Sequence, residues 1–196
     1  MTQTVYYHQM PSPWGPLFLA ASERGVCACH FISDADTASF LQRVQQPHDG
    51  ETLIREDPLP LAEAMAYLQR YFSGVSGRYR HPLDLRGTTF QLKVWSALQQ
   101  IPFGQVAAYG EIASRLKKPG AARAVGQACR ANPVVLFVPC HRVVASRGGL
   151  GGFSSGLDLK KSLLRHEGCL SSQPSVLSDQ AKAQIDEYRR GTCRPR

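Results

Sequence analysis

The sequence predicts an α/β chain in two parts: a small antiparallel sheet with helices, then a mostly helical module carrying a helix-turn-helix. Three observations predict it. Short apolar runs alternate with turn residues between positions 4 and 31. From residue 88 onward, apolar residues recur at helical spacing between Gly- and Pro-containing breaks. The charge also divides: residues 1–85 hold six Lys/Arg and nine Asp/Glu, a net of −3, whereas residues 86–168 hold twelve and three, a net of +9. Three segments are expected: 1–85, a structural α/β domain; 86–169, a basic module; and 170–196, an extension of net +2 with a linker at Ser171–Pro174 and a short polar helix over Asp179–Arg190.

In the first segment, Val5, Tyr6 and Tyr7 open a strand, Pro11–Gly15 is turn-like, and residues 16–21 are apolar. Ser22–Gly25 turns again before a strand over Val26–Ile32. Asp34–Gln46 reads as a helix with Phe40, Leu41 and Val44 on one face. Leu61, Ala64, Met65, Leu68 and Phe72 follow helical spacing, with Gly74 as the stop. Residues 74–88 read as a linker.

The second segment opens with Thr88 as N-cap and Gln91 three residues on, a capping box. Phe90, Val94, Ala97, Leu98 and Ile101 form its apolar stripe, ended by Pro102-Phe103-Gly104. A short helix over Tyr109–Leu116, a turn over Lys117–Gly120 and a third helix over Ala121–Arg130 give a helix-turn-helix pattern. The third helix is thin: Ala121, Ala122, Ala124, Gly126 and Ala128 carry almost no bulk, and Arg123 is the long reach near its start. Such a helix suits tight core packing or a narrow groove, and the basic context favours DNA.

Next comes Asn132-Pro133 and a short β-branched run, Val134–Val138, which predicts a buried strand ending at Cys140. A nucleophilic Cys needs a base or positive field nearby, and His141 and Arg142 supply those residue types. An adjacent His in extended chain points away, so it would act through a bend or a water. The other reading is a structural Cys beside an unrelated His.

Pro139-Cys140-His141-Arg142-Val143 resembles the active-site signature of the O6-alkylguanine-DNA alkyltransferases. Phe90-x-x-x-Val94-Trp95, Ile101-Pro102-x-Gly104, Tyr109, residues 121–126, Asn132-Pro133, Gly152-Phe153 and Leu163-Leu164-x-His166-Glu167-Gly168 resemble that family too. Ser12-Pro13-x-Gly15-Pro16-Leu17 is weakly similar to its N-terminal domain. The resemblance implies a ribonuclease-H-like first domain and a winged-helix-like second one. It implies direct reversal of DNA damage: an alkyl group passes irreversibly from the O6 atom of guanine, or O4 of thymine, to Cys140, once per molecule.

In that scheme His141 is a water-mediated base oriented by Glu167. Tyr109 stabilises the leaving oxygen, and Asn132 ties down the turn before the reactive segment. Arg123 fills the space left by a nucleotide rotated out of the duplex. The helix carrying Ala121, Ala122, Ala124, Gly126 and Arg130 enters the minor groove, where readout of sequence is degenerate. Val143, Phe153, Ser154 and Ser155 line the substrate pocket. Phe153 stands where many members carry Tyr, and Ser155 adds a side chain at the pocket rim. Double-stranded DNA is the partner, with a monomeric protein and no cofactor.

Composition excludes several classes. With 43% hydrophobic and 19% charged residues the chain is not disordered. Its apolar runs are too short for a membrane span, and its N-terminus lacks the pattern of a secretory signal, so a cytoplasmic protein with reduced thiols is expected. Cys27-x-Cys29-His30 lacks a second ligand pair at zinc spacing, so no metal is expected, and Cys27 and Cys29 would share one face of a strand. Three other functions compete: a DNA-binding relative without the Cys, a Cys-His hydrolase, and a helix-turn-helix regulator. Cys140 opposes the first, the adjacency of Cys140 and His141 the second, and the scarcity of base-reading side chains on the third helix the last.

Overall fold

The computed structural model describes residues 3–31, 37–45, 52–146, 148–170 and 177–189. Two compact units emerge: Met1–Arg86 with Pro133–Phe137, and Gly87–Asn132 with Val138–Arg196. No helix among the described residues is long and apolar enough to cross a membrane.

The first unit is built on four strands, β1 (Gln3–Met10), β2 (Leu17–Ser22), β3 (Gly25–Phe31) and β4 (Thr52–Glu56), in the order β3-β2-β1-β4. β1, β2 and β3 form the expected antiparallel meander. The sheet as a whole is mixed, because β4 pairs with β1 in parallel. Helix α1 (Thr37–Gln45) brings Phe40 and Val44 onto Val5, Phe18, Ala20 and Ala28. Full burial of a side chain such as Phe40 stabilises by roughly 1.5–3 kcal/mol. Residues 34–36 and 46 of the expected first helix, like residue 32 of the expected strand, lie outside the described residues. Helix α2 (Ala62–Phe72) follows, and Gly74 takes φ +76° just beyond it.

Three readings of this unit need correction. Cys27 and Cys29 do not share a face. The register of β3 slips between Ala20 and Ala21, a bulge that breaks the two-residue alternation. Cys27 packs against the Phe18 cluster, whereas Cys29 pairs with Leu19 and bridges Val134. Residues 74–88 are not a free linker: Leu83 bridges Val26, and Asp84 accepts a hydrogen bond from Ser22 Oγ at 2.7 Å. The Val134–Val138 run is buried but is not a strand of its own. Cys29 N donates to Pro133 O and Val135 N to Cys29 O, after which the chain turns through Leu136 at φ +72°. The turn at Leu136 interrupts the extended chain inside the run.

The second unit begins with α3 (Thr89–Leu98), whose capping box is formed: Gln91 N donates to Thr88 Oγ1 and Thr88 N to Gln91 Oε1. Trp95, almost fully buried, donates from Nε1 to Ala128 O at 2.8 Å. Strand β5 (Ala107–Ala108) leads into α4 (Tyr109–Arg115), and Lys117 turns the chain at φ +58° into α5 (Ala122–Arg130). A 3-10 turn over Cys140–Arg142 runs into β6 (Val143–Val144), which pairs in parallel with β5. Helix α6 (Leu157–His166) and helix α7 (Asp179–Arg189) complete the unit. The expected polar helix after residue 178 is therefore present as α7. It is also docked: Leu177, two residues before it, and Ala181 and Ile185 on it bury with Val106, Val144 and Leu164. The linker expected at Ser171–Pro174 lies outside the described residues.

Candidate active site

The reactive segment is short. Cys140 opens the 3-10 turn with only 3% of its surface exposed, and its amide donates to Val138 O at 2.8 Å. Asn132, at the end of α5, donates from one amide nitrogen to Val138 O at 2.8 Å and to Cys140 Sγ at 3.1 Å. One side chain thus fixes both the backbone before the turn and the sulfur on it.

Beside it lies a buried ionic network. His141 Nε2 is 2.7 Å from Glu167 Oε1. Arg142 donates from Nε to Glu167 Oε2 at 2.8 Å, from Nη2 to Oε1 at 3.0 Å, and from Nη1 to Ile101 O at 2.6 Å. Gly104 N donates to Oε2 at 3.2 Å. Burial alone would raise the Glu167 carboxyl, but His141 and Arg142 overcome it and hold it down at about 2. The carboxylate is then an acceptor only, so His141 Nε2 carries the hydrogen and Nδ1 is left as the basic nitrogen. Nδ1 is buried without a hydrogen-bond partner. Burial also lowers the His141 pKa, against the pull of Glu167, so the ring is neutral.

Burial pushes the Cys140 thiol up, only partly offset by the Asn132 hydrogen bond and the charge of Lys160. The resting group is therefore a thiol, and a thiolate forms by handing a proton to a base.

Lys160 was not singled out from the sequence. It is fully buried, and its ammonium donates to Val143 O at 2.6 Å, Leu150 O at 2.5 Å and Gly152 O at 3.3 Å. Burial lowers its pKa to about 8, opposed by the negative charge that Cys140 and Cys129 would carry. The signal was in the spacing: Lys160, Leu163, Leu164 and Glu167 fall on one helical stripe, so the lysine had to face inward with the leucines.

Tyr109 begins α4. Its hydroxyl donates to Gly152 O at 3.4 Å, and Lys160 Nζ lies 5.9 Å from its ring centre. Burial, then the negative charge that Cys129 and Cys140 would carry, push its pKa up to about 12, so it is a proton donor at neutral pH. Gly151 closes on it: at φ +68°, a Cβ there would lie 2.7 Å from the Tyr109 ring. Only glycine allows both this backbone and this approach.

The structure thus joins Cys140, His141, Glu167 and Asn132 with Arg142 and Lys160, and sets Tyr109 against the Lys160-bound loop. On α5, Arg123, Ala124 and Arg130 are exposed, Ala121, Ala122 and Gly126 are half-buried, and Val125, Ala128 and Cys129 face inward. The helix's small residues therefore serve both purposes, packing on one face and leaving the other slim. Gly126 lies against the Tyr109 ring. Val143 is fully buried in β6; Ser154 is exposed, and Phe153 and Ser155 are half-buried.

Two family profiles match the chain. Residues 5–85 match the ribonuclease-like domain of 6-O-methylguanine DNA methyltransferase, and residues 89–169 match its DNA binding domain. The chain belongs to the 6-O-methylguanine DNA methyltransferase family. Relatives agree over most of their length. A methylated-DNA–protein-cysteine methyltransferase of Methanosarcina acetivorans is 38% identical over 84% of this chain and 99% of its own. One from Mycobacterium bovis is 39% identical over 83% and 92%. Among solved structures, the Mycobacterium tuberculosis protein in complex with DNA superposes with a TM-score of 0.70 at 35% identity, covering 92% of this chain and 98% of that one. A variant of that 6-O-methylguanine methyltransferase gives 0.69 at 37% identity, covering 83% and 92%. The two-domain α/β architecture is that of these methyltransferases.

Proposed function

We propose that this chain repairs DNA by direct reversal, as a methylated-DNA–protein-cysteine methyltransferase acting as a monomer on duplex DNA. It moves an alkyl group from guanine O6, and from thymine O4, to Cys140. The observation that carries this reading is a buried thiol beside a neutral His141 whose Nδ1 is free and whose Nε2 is held by an ionised Glu167.

The chemistry follows from those groups. His141 Nδ1 takes the Cys140 proton through an intervening water, and Glu167 stabilises the imidazolium that results. The thiolate attacks the alkyl carbon in line; the S–C bond forms as the C–O bond breaks. The electron pair stays on the base oxygen, and the Tyr109 hydroxyl supplies a hydrogen bond or proton to the leaving base. The product at Cys140 is a thioether, which water and thiols do not readily displace, so each molecule acts once. Neither metal nor cofactor has a part in these steps.

Reaching a paired base requires its extrusion. Arg123, exposed near the start of α5, occupies the hole left in the stack, while the slim outer face of α5 lies in the minor groove. Phe153, Ser154 and Ser155 line the rim that receives the base. The test uses duplex DNA with labelled methyl on guanine O6 and locates the label by peptide mass spectrometry. Label on Cys140 is the expected result; label on another cysteine rejects the site.

A further inference from the structure

Helix α7 lies beyond the residues matched by the DNA binding domain profile, yet it is packed against the elements that carry the chemistry. Strand β5 runs directly into Tyr109, and β6 follows directly from the Cys140–Arg142 turn. Their parallel pairing, Ala107 with Val143 and Ala108 with Val144, therefore ties the chain leading into Tyr109 to the chain leaving Cys140. Two residues on each side are too few to hold a strand pair by themselves. What backs the pair is α7. Ala181 and Ile185 on the helix, with Leu177 two residues before it, bury against Val106, Val144 and Leu164. The Val106 amide, next to β5 and nearly fully buried, donates to Gln184 Oε1 at 3.0 Å.

We propose that α7 is a brace of the alkyl-acceptor site and that Gln184 is a positioning residue, holding β5 against β6 through the Val106 amide. Gln184 touches neither base nor sulfur. It acts by keeping the Tyr109 end of β5 in register with the Cys140 turn, so that hydroxyl and thiol meet the same base. This rests on the roles proposed above for Tyr109 and Cys140.

The test compares Gln184→Leu, which keeps the bulk and removes the acceptor, with Gln184→Glu, which keeps an acceptor oxygen. Single-turnover transfer is measured at saturating O6-methylguanine duplex, and Kd for the same duplex separately. Gln184→Leu leaves the Val106 amide buried without its acceptor, so it should slow transfer about tenfold. Its Kd should stay within about twofold, and Gln184→Glu should recover most of the rate. Amide exchange at Val106 and Ala108 should accelerate in Gln184→Leu alone, a readout independent of activity. An unchanged rate in Gln184→Leu, equal slowing in both variants, or a loss in Kd matching the loss in rate would overturn the proposal. Should the label in the parent chain fall elsewhere than Cys140, the site reading fails, while amide exchange still decides whether α7 braces β5.

Discussion

Replacing Glu167 by Gln removes the counter-charge of a buried Arg142 and the partner of His141. Breaking a buried ion pair from one side costs about 3–5 kcal/mol, so Glu167→Gln should lower unfolding stability by that order in urea titrations. The same network sets an acid limit. The Glu167 pKa is depressed to about 2 from an ordinary 4.5, so its contribution is complete above 4.5 and is lost as pH falls toward 2. The His141 pKa is also depressed, from 6.5, because the ring is buried neutral. The unfolded chain gains that proton first, so stability starts to fall below pH 6.5. Urea midpoints should decline as pH falls from 6.5 to 4; a flat profile over that range would contradict the assigned protonation states. Cys140, His141, Tyr109, Asn132 and Glu167 were all legible as a motif. Lys160 was not singled out, because a lone lysine in a basic segment reads as surface charge until its helical stripe is counted. Gly151 was missed because nothing local to it reveals the ring of Tyr109, 42 positions earlier.

Helices were the most legible elements. The capping box at Thr88 and the periodic stripe behind it specify α3 from local chemistry alone, and Thr88→Ala should cost about 1 kcal/mol in thermal or urea unfolding. The segment Val134–Val138 misled because burial and β-branching match a core strand, whereas the chain turns within the run, at Leu136, φ +72°. Strand β4 went unread, since Thr52, Arg55 and Glu56 give it little apolar character. The docking of α7 was unread for a related reason: Ala181 is a small anchor, and the helix is polar elsewhere. On α5 the exposed Arg123 makes a sharp prediction. Arg123→Ala should slow transfer from duplex far more than reaction with free O6-benzylguanine, where no nucleotide is extruded. Equal losses on the two substrates would assign Arg123 to the fold or the chemistry instead.

At the scale of the whole molecule, charge and chemistry separate. The net +9 of residues 86–168 predicts a binding constant governed by counterion release. If about four phosphates are neutralised, the log–log slope of affinity against salt should be about −3.6. The transfer step, once DNA is bound, moves protons and an alkyl group only within a buried network, so its rate at saturation should hardly change with salt. The central claim is that Cys140 is a spent-once acceptor, and stoichiometry tests it most directly. Duplex DNA carrying labelled O6-methylguanine, in excess over protein, is incubated until the signal stops rising, and the label is counted per chain and mapped. The account predicts a plateau at one methyl per molecule, all of it on Cys140, and none in a Cys140→Ser variant that still binds the duplex. Repaired DNA accumulating well beyond one equivalent, or label on any other residue, would contradict it.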